Sequence, residues 1–319
     1  LSNSTTPAYA SDIAVKSAKP TPETKEIAGL LSAFIAPAAE VLSYDLDGNL
    51  EGDGRWDYTY DAENRLIEME TDSAAVTAGL AKIKLVFRYD SLGRRTAKEK
   101  WTWVSSAWSK ATDVRFVYQG WNLIAELDDS GVMERSHAWG LGIGGTLSGT
   151  GGIGALVQSV DHTGTDTAYL PGYDGSGNVT AMMKDDGTIV AAYEYSPFGK
   201  LLRQTGTYAD ENPFRSATKY TDEETDLVYY GHRYYSPSLG RFINRDPIGE
   251  AGGMNLYAFA GNDAANGSDY LGLHIIAPTP APSSEVYRGP RMDDVEDRFT
   301  FEGQRDASLW RASNTRGVA

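Results

Sequence analysis

Apolar and aromatic residues alternate with polar ones in short runs along this chain, and each run ends in a cluster of Asp, Gly and Asn. Tyr58-Thr59-Tyr60 and Val86-Phe87-Arg88-Tyr89 switch faces residue by residue, as strands do. The residues after them, Asp61-Ala62-Glu63-Asn64 and Asp90-Ser91-Leu92-Gly93, can take the positive-φ positions of a tight turn. A second run then leaves, as in Arg65-Leu66-Ile67-Glu68-Met69-Glu70. The unit is a hairpin, and it recurs with starts at Tyr44, Tyr60, Tyr89, Tyr118, Tyr173 and Tyr195, the copy at Tyr118-Gln119-Gly120 being degenerate. Steps of 16, 29, 29, 55 and 22 residues are too irregular for a strict solenoid. The pattern predicts one extended antiparallel sheet, with tyrosines in cross-strand ladders worth roughly 0.2–1 kcal/mol per pair. The content of 34 Gly and 19 Tyr agrees with β-structure over helix. One stretch, Glu23 to Ala36, has a helical period, with Ile27, Leu30, Leu31 and Phe34 on one face; the alternative is an irregular segment packed on the sheet. Residues 1–22 are rich in Ser, Thr, Pro and Ala and read as a linker.

The Tyr-Asp-x-x-Gly unit over residues 44–202 resembles the signature of YD repeats. The run from Tyr229 to Leu273, with Gly240-Arg241-Phe242-Ile243-Asn244-Arg245-Asp246-Pro247-Ile248-Gly249 inside it, resembles the core domain that closes RHS proteins. Together they cover about two thirds of the chain. The resemblance implies an all-β fold in which antiparallel hairpin repeats form part of a shell or cocoon. It divides the chain into a linker and N-terminal segment (1–43), a YD-repeat sheet (44–228), the core (229–273) and a variable tail (274–319).

Charge and composition narrow the function. The net charge is -15, from 44 acidic and 29 basic residues, which disfavours a nucleic-acid or anionic-membrane partner. With no cysteine there is no disulfide framework, Cys-ligated zinc or thiol nucleophile. No apolar run is long enough to span a membrane. A chain that begins at Leu1 reads as a piece of a longer one, and no signal peptide is visible in it. From His274 the composition shifts to Pro, Ala, Ser and charged residues, and 46 residues of that kind do not build a core.

Peptide hydrolysis by carboxylates needs two of them close together, one as base towards water and one as acid. Asp246 and Asp269 each open a short turn, and Asp263 lies between them. The resemblance implies that Asp246 is catalytic, that Asp269 or Asp263 is its partner, that Arg245 orients the pair or stabilises an oxyanion, and that the bond cut is Leu273–His274. Aspartates in these contexts also cap turns. Where the family motif reads Asp-Pro-x-Gly-Leu, this chain has Tyr270 in the proline's place and keeps Leu273; without proline the turn φ is no longer fixed. The function implied is a shell segment that encloses the C-terminal, toxin-like segment and releases it by an autoproteolytic, aspartyl-type cut acting on the chain itself. Its partners would be that segment, the rest of the shell and a secretion apparatus, with the protein secreted or at the cell surface. The alternative is a non-catalytic structural or adhesive surface protein or filament subunit, which the Tyr270 departure and the short tail favour.

Other patterns carry less. Gly149 to Gly154 matches G-x-G-x-x-G, but its flanks look like glycine-rich hairpins rather than strand and helix, so no nucleotide cofactor is expected. The four histidines, at 137, 162, 232 and 274, lack ligand spacing, and His232 reads as a packed member of an aromatic strand. Asp128-Asp129-Ser130-Gly131 and Asp185-Asp186-Gly187 do not follow a calcium-loop pattern and read as hairpin turns. Trp101, Trp103 and Trp108 form the one aromatic cluster suited to an exposed sugar platform, against strand packing as the alternative.

Overall fold

The computed structural model describes residues 8–16, 26–35, 40–143, 145, 151–264 and 266–276, and the side chains of those between 40 and 273. The chain divides into two compact units, residues 1–278 and 279–319, and the described residues all belong to the first. Most of the tail read as variable therefore lies outside the described residues.

The main element is a 14-stranded sheet running from Ser43–Tyr44 to Leu201–Thr205, in which each strand pairs antiparallel with its sequence neighbours. A capped helical turn, Ser73–Ala78, interrupts the meander, with the Asp72 carboxylate accepting the Ala74 and Ala75 amides. The fold is the all-β meander that the alternation predicts. Near the N-terminus the outcome differs. Ala8–Lys16, read as linker, pairs with Glu26–Ile35, read as a short helix or an irregular packed segment, to make a two-stranded sheet. An isolated helix of that length is marginal, and pairing satisfies both backbones at once.

Each repeat is built by the same local rule. The Asp carboxylate accepts the amides two and four residues on: Asp61 from Glu63 and Arg65, Asp90 from Leu92 and Arg94, Asp174 from Ser176 and Asn178. Asp128 does the same with Ser130 and Val132, so that acidic pair belongs to a hairpin turn. The third residue after each of these aspartates has positive φ, at Asn64, Gly93, Gly177 and Gly131, which explains the Gly or Asn there. The tyrosine of one repeat then reaches back to the residue that follows the previous turn. Tyr89 donates to the Leu66 carbonyl (2.6 Å), Tyr195 to Val179 (2.8 Å) and Tyr173 to Leu156 (2.6 Å). Trp139 Nε1 fills the same role on Leu123 after the degenerate repeat.

After Thr205 the chain leaves the sheet for short elements: Tyr220–Thr221, Val228–Tyr229, Tyr234–Ser236 and Arg241–Phe242 form a small four-stranded sheet. This segment docks on the repeats through the amides that follow their turns. Leu50 N–H donates to the Ile243 carbonyl, Arg95 N–H to the Tyr229 hydroxyl and Val179 N–H to the Arg215 carbonyl. One apolar cluster joins the sheet (Leu66, Leu85, Phe116, Met182) to Phe214, Tyr220 and Tyr234 of the segment. A second cluster, of Ile153, Tyr230, Tyr235, Phe242 and Phe259, lies mostly within the segment. Arg95, 1% exposed, bridges the two regions. Its guanidinium is 2.5 Å from Asp222 and lies 4.7 Å from the Phe116 ring and 4.8 Å from that of Tyr229. Lys98 adds ion pairs to Asp222 (3.1 Å) and Glu224 (2.9 Å).

Candidate functional site

The second cluster supports a tight hairpin at the end of the described chain. Ser268–Tyr270 pairs antiparallel with His274–Ile276, and Tyr270-Leu271-Gly272-Leu273 makes the turn between them, closed by the Leu273 amide on the Tyr270 carbonyl at 3.1 Å. Its two central residues both have positive φ, 57° at Leu271 and 74° at Gly272, as the hairpin-matched type I′ turn requires. For Leu271 that conformation costs on the order of 1 kcal/mol. The residue is held there by its buried side chain and by its carbonyl, which accepts the His232 amide.

Two carboxylates meet this turn. Asp269 Oδ1 accepts the Leu273 amide at 2.9 Å. Asp246 opens its own turn, taking the Ile248 amide on Oδ1 at 3.0 Å. A Cβ built on Gly252 would stand 2.5 Å from both Asp246 Oδ2 and the Leu273 oxygen, so these two atoms lie within 5.0 Å of each other across the glycine. The φ of Gly252 is not in the left-handed region. What its position requires is space.

Arg233 ties the pieces together. Nη2 is 2.8 Å from Asp246 Oδ2 and 3.8 Å from Asp269 Oδ2, which puts the two carboxylate oxygens at most 6.6 Å apart. Nε donates to the Gly272 carbonyl and Nη1 to that of Leu256, and the guanidinium stacks on Phe242 at 3.8 Å. Burial pushes Asp269 up to about 6; Arg233, the Leu273 amide and Lys219 oppose this without cancelling it.

Of the residues singled out in the sequence, Asp246, Asp269 and the Leu273 peptide come together. Asp263 does not join them: it is exposed, its carboxylate bonded to the Asn266 amide nitrogen. Arg245 is exposed too and lays its stem against Gly48. The cation at the carboxylates is Arg233, which sequence reasoning missed, along with Gly252. The available signal was a lone Arg in the aromatic run Tyr229 to Tyr235, where a buried guanidinium needs carboxylates. The backbone of His274 pairs with that of Tyr270, and its side chain lies outside the described residues.

The remaining candidates have structural partners. His232 packs on Trp121 at 4.5 Å. His137 bonds Ser159 and Glu126, with Tyr220 on the other Glu126 oxygen; Ser159 is fully buried, so this Ser-His-Glu set is a sealed clasp between sheet and segment. Trp103 and Trp108 meet edge-on at 5.2 Å beneath Lys82 and Lys84. Residues 149 and 150 of the glycine motif lie outside the described residues, and its remainder packs against the segment, with Gly154 N–H on Thr218 Oγ1. Among the described residues no helix is long and apolar enough to cross a membrane.

Residues 154–265 match the family model described as Teneurin YD-shell. The chain is 30% identical over 246 residues to Double-stranded DNA deaminase toxin A of Burkholderia cenocepacia (strain H111), covering 73% of this chain and 17% of that protein. It is 28% identical over 229 residues to tRNA nuclease WapA of Bacillus subtilis (strain 168), covering 70% and 9%. The chain thus spans less than a fifth of the length of these curated relatives. Among solved structures it resembles the crystal structure of TcdB2-TccC3-TEV, with a TM-score of 0.56 and 20% identity over 72% of this chain and 11% of that one. It also resembles the Tc holotoxin pore of Photorhabdus luminescens, with a TM-score of 0.56 and 21% identity over 76% and 11%. Identities this low speak for a common fold.

Proposed function

We propose, from the premise that this chain belongs to the RHS (YD-repeat) family, that its sheet and core form the closing part of a shell around the segment after Leu273, and that the core frees the segment by cutting the Leu273–His274 bond. The observation that carries this reading is that the two carboxylates and Arg233 are arranged around the chain's own peptide: Leu273 N–H on Asp269, Gly272 carbonyl on Arg233, Leu273 carbonyl beside Asp246. The toxins among the relatives and neighbours support a secreted or surface-delivered protein whose partners are its own tail, the rest of the shell and a secretion apparatus.

In the proposed reaction Asp246, ionised against Arg233, takes a proton from water, and the oxygen adds to the Leu273 carbonyl carbon. Asp269, with its raised pKa, supplies the proton that the His274 nitrogen takes as the C–N bond breaks. The products are the Leu273 carboxylate and the His274 amine. Arg233 pairs with Asp246 and fixes the Gly272 carbonyl, so the bond is presented in one orientation.

The test is the intact mass, under denaturing conditions, of the full chain beside Asp246→Asn. Splitting after Leu273 in the wild type alone supports the reading. If neither splits, the non-catalytic structural or adhesive reading replaces it, with Tyr270 in the proline position as its rationale.

A further inference from the structure

Among the described residues the buried arginines are Arg95, Arg215 and Arg233. Arg95 meets Asp222 at 2.5 Å and Arg233 meets Asp246 at 2.8 Å. Arg215, 6% exposed, forms no ion pair with any described carboxylate. Its Nε donates to the Asn212 carbonyl at 3.1 Å, and Nη2 to those of Ala209 at 3.2 Å and Asp210 at 3.1 Å. Carbonyls satisfy N–H groups but bring no net charge, so a full positive charge is buried here without a counter-ion. The side chain lines a cavity of about 540 Å³, walled by Trp56 and Tyr58 near the start of the large sheet, by Tyr195 near its end, and by Thr221 of the segment. Three donors that line it are buried atoms with no hydrogen-bond partner among the described residues: Trp56 Nε1, Thr221 Oγ1 and Arg55 Nε. Arg55 also lacks an ion pair there and lies 5.8 Å from the Trp56 ring centre. The nearby Asp53 carboxylate is engaged elsewhere, with Oδ1 on the Arg55 and Trp56 amides and Oδ2 on the Tyr58 hydroxyl.

We propose that this cavity is a binding site for a small organic anion, a molecule with one carboxylate or phosphate whose oxygens pair with Arg215 and Arg55 and accept the Trp56 and Thr221 donors. Water can satisfy an indole or a hydroxyl, but it cannot neutralise a buried guanidinium. An oxyanion does both, and guanidinium groups match its geometry. The volume suits a molecule of sugar size. The rings of Trp56, Tyr58 and Tyr195 offer apolar faces to the body of such a molecule. Glu40 and Asp226 stand exposed at the same cavity, with Lys200, and two free acids there repel a polyanion such as nucleic acid. None of Arg233, Asp246 and Asp269 lines the cavity, so the proposal does not depend on the cleavage reading.

The experiment follows the Trp56 indole N–H of the full chain by NMR, identified through its loss in Trp56→Phe, at constant ionic strength. Glucuronate, glucose 6-phosphate and neutral glucose are each added to about 10 mM, well above a millimolar Kd. At least one of the two charged sugars should shift the signal saturably, and glucose should not. A response to glucuronate alone assigns a carboxylate ligand, and a response to the phosphate alone a phosphorylated one. Arg215→Lys, which loses the planar fork, should raise the Kd about tenfold or more, and Arg55→Gln about threefold or more. Should Arg215→Lys fail to fold, Arg55→Gln at its half-buried position carries the test. No saturable shift with either charged sugar overturns the proposal. So does an equal response to glucose, or a Kd that the arginine substitutions leave unchanged.

Discussion

Arg95 and Arg233 are both buried guanidiniums stacked on aromatic rings, and both meet aspartates, yet the two clusters differ in how closely cations approach the carboxylate. Asp222 has Arg95 at 2.5 Å and Lys98 at 3.1 Å, and these cations outweigh burial and hold it below the usual carboxylate range. At the hairpin one guanidinium serves two carboxylates, at 2.8 and 3.8 Å, and burial prevails at Asp269. A saturated carboxylate is a fixed charge that fastens the segment to the sheet. An undersupplied one is pushed up by burial to about 6, towards the range that the proposed chemistry at a peptide bond needs. Similar parts thus make an anchor in one place and, in the proposed cleavage, the reactive group in the other.

The largest effect should fall on the anchor. Asp222→Ala leaves Arg95 without its carboxylate and should cost about 3–5 kcal/mol in denaturant unfolding; a loss below about 1 kcal/mol would break the contrast. At the hairpin, Gly252→Ala should slow the cut about 100-fold, near 2.7 kcal/mol, and lower the melting temperature as well, because the added methyl would stand 2.5 Å from Asp246 Oδ2 and from the Leu273 carbonyl oxygen. The contrast sharpens in pH dependence, where the two aspartates have opposite signs. The pKa of Asp269 is higher folded than unfolded, so its burial weakens the fold as pH rises from about 4 to about 6, by on the order of 1–3 kcal/mol. Asp269→Asn should therefore gain on wild type between pH 4 and pH 7.5. The pKa of Asp222 is lower folded than unfolded, so it stabilises at neutral pH and that contribution is lost as pH falls through its folded value. Asp222→Asn should then be most damaging at pH 7.5 and less so in acid. The smallest effect belongs to the solvent-side pair Asp90–Arg94, where Asp90→Ala should cost about 1 kcal/mol or less and leave the cut unchanged.

The repeat sheet was legible because its rule is local: an aspartate, a positive-φ residue three positions on, and a tyrosine that alternation places on the inner face. The carboxylates Asp246 and Asp269 were reached through resemblance to a motif. Arg233 and Gly252 were not, since each meets the carboxylates across a distance the sequence does not encode. Arg233 is 13 residues from one carboxylate and 36 from the other. Arg245 was chosen for adjacency to Asp246, but neighbours in sequence need not face the same site, and its stem lies against Gly48 instead. The stretch 23–36 was misread because its periodicity suits a short helix while its partner strand lay in a stretch that composition marks as linker.

The hydroxyl-to-carbonyl bonds from Tyr89 to Leu66 and from Tyr195 to Val179 make each repeat a rung that grips the one before it and offers the same grip to the next. A unit copied or deleted between two turns would meet an identical socket on either side. Length in such a sheet is a matter of counting, since each added unit repeats a joint already present.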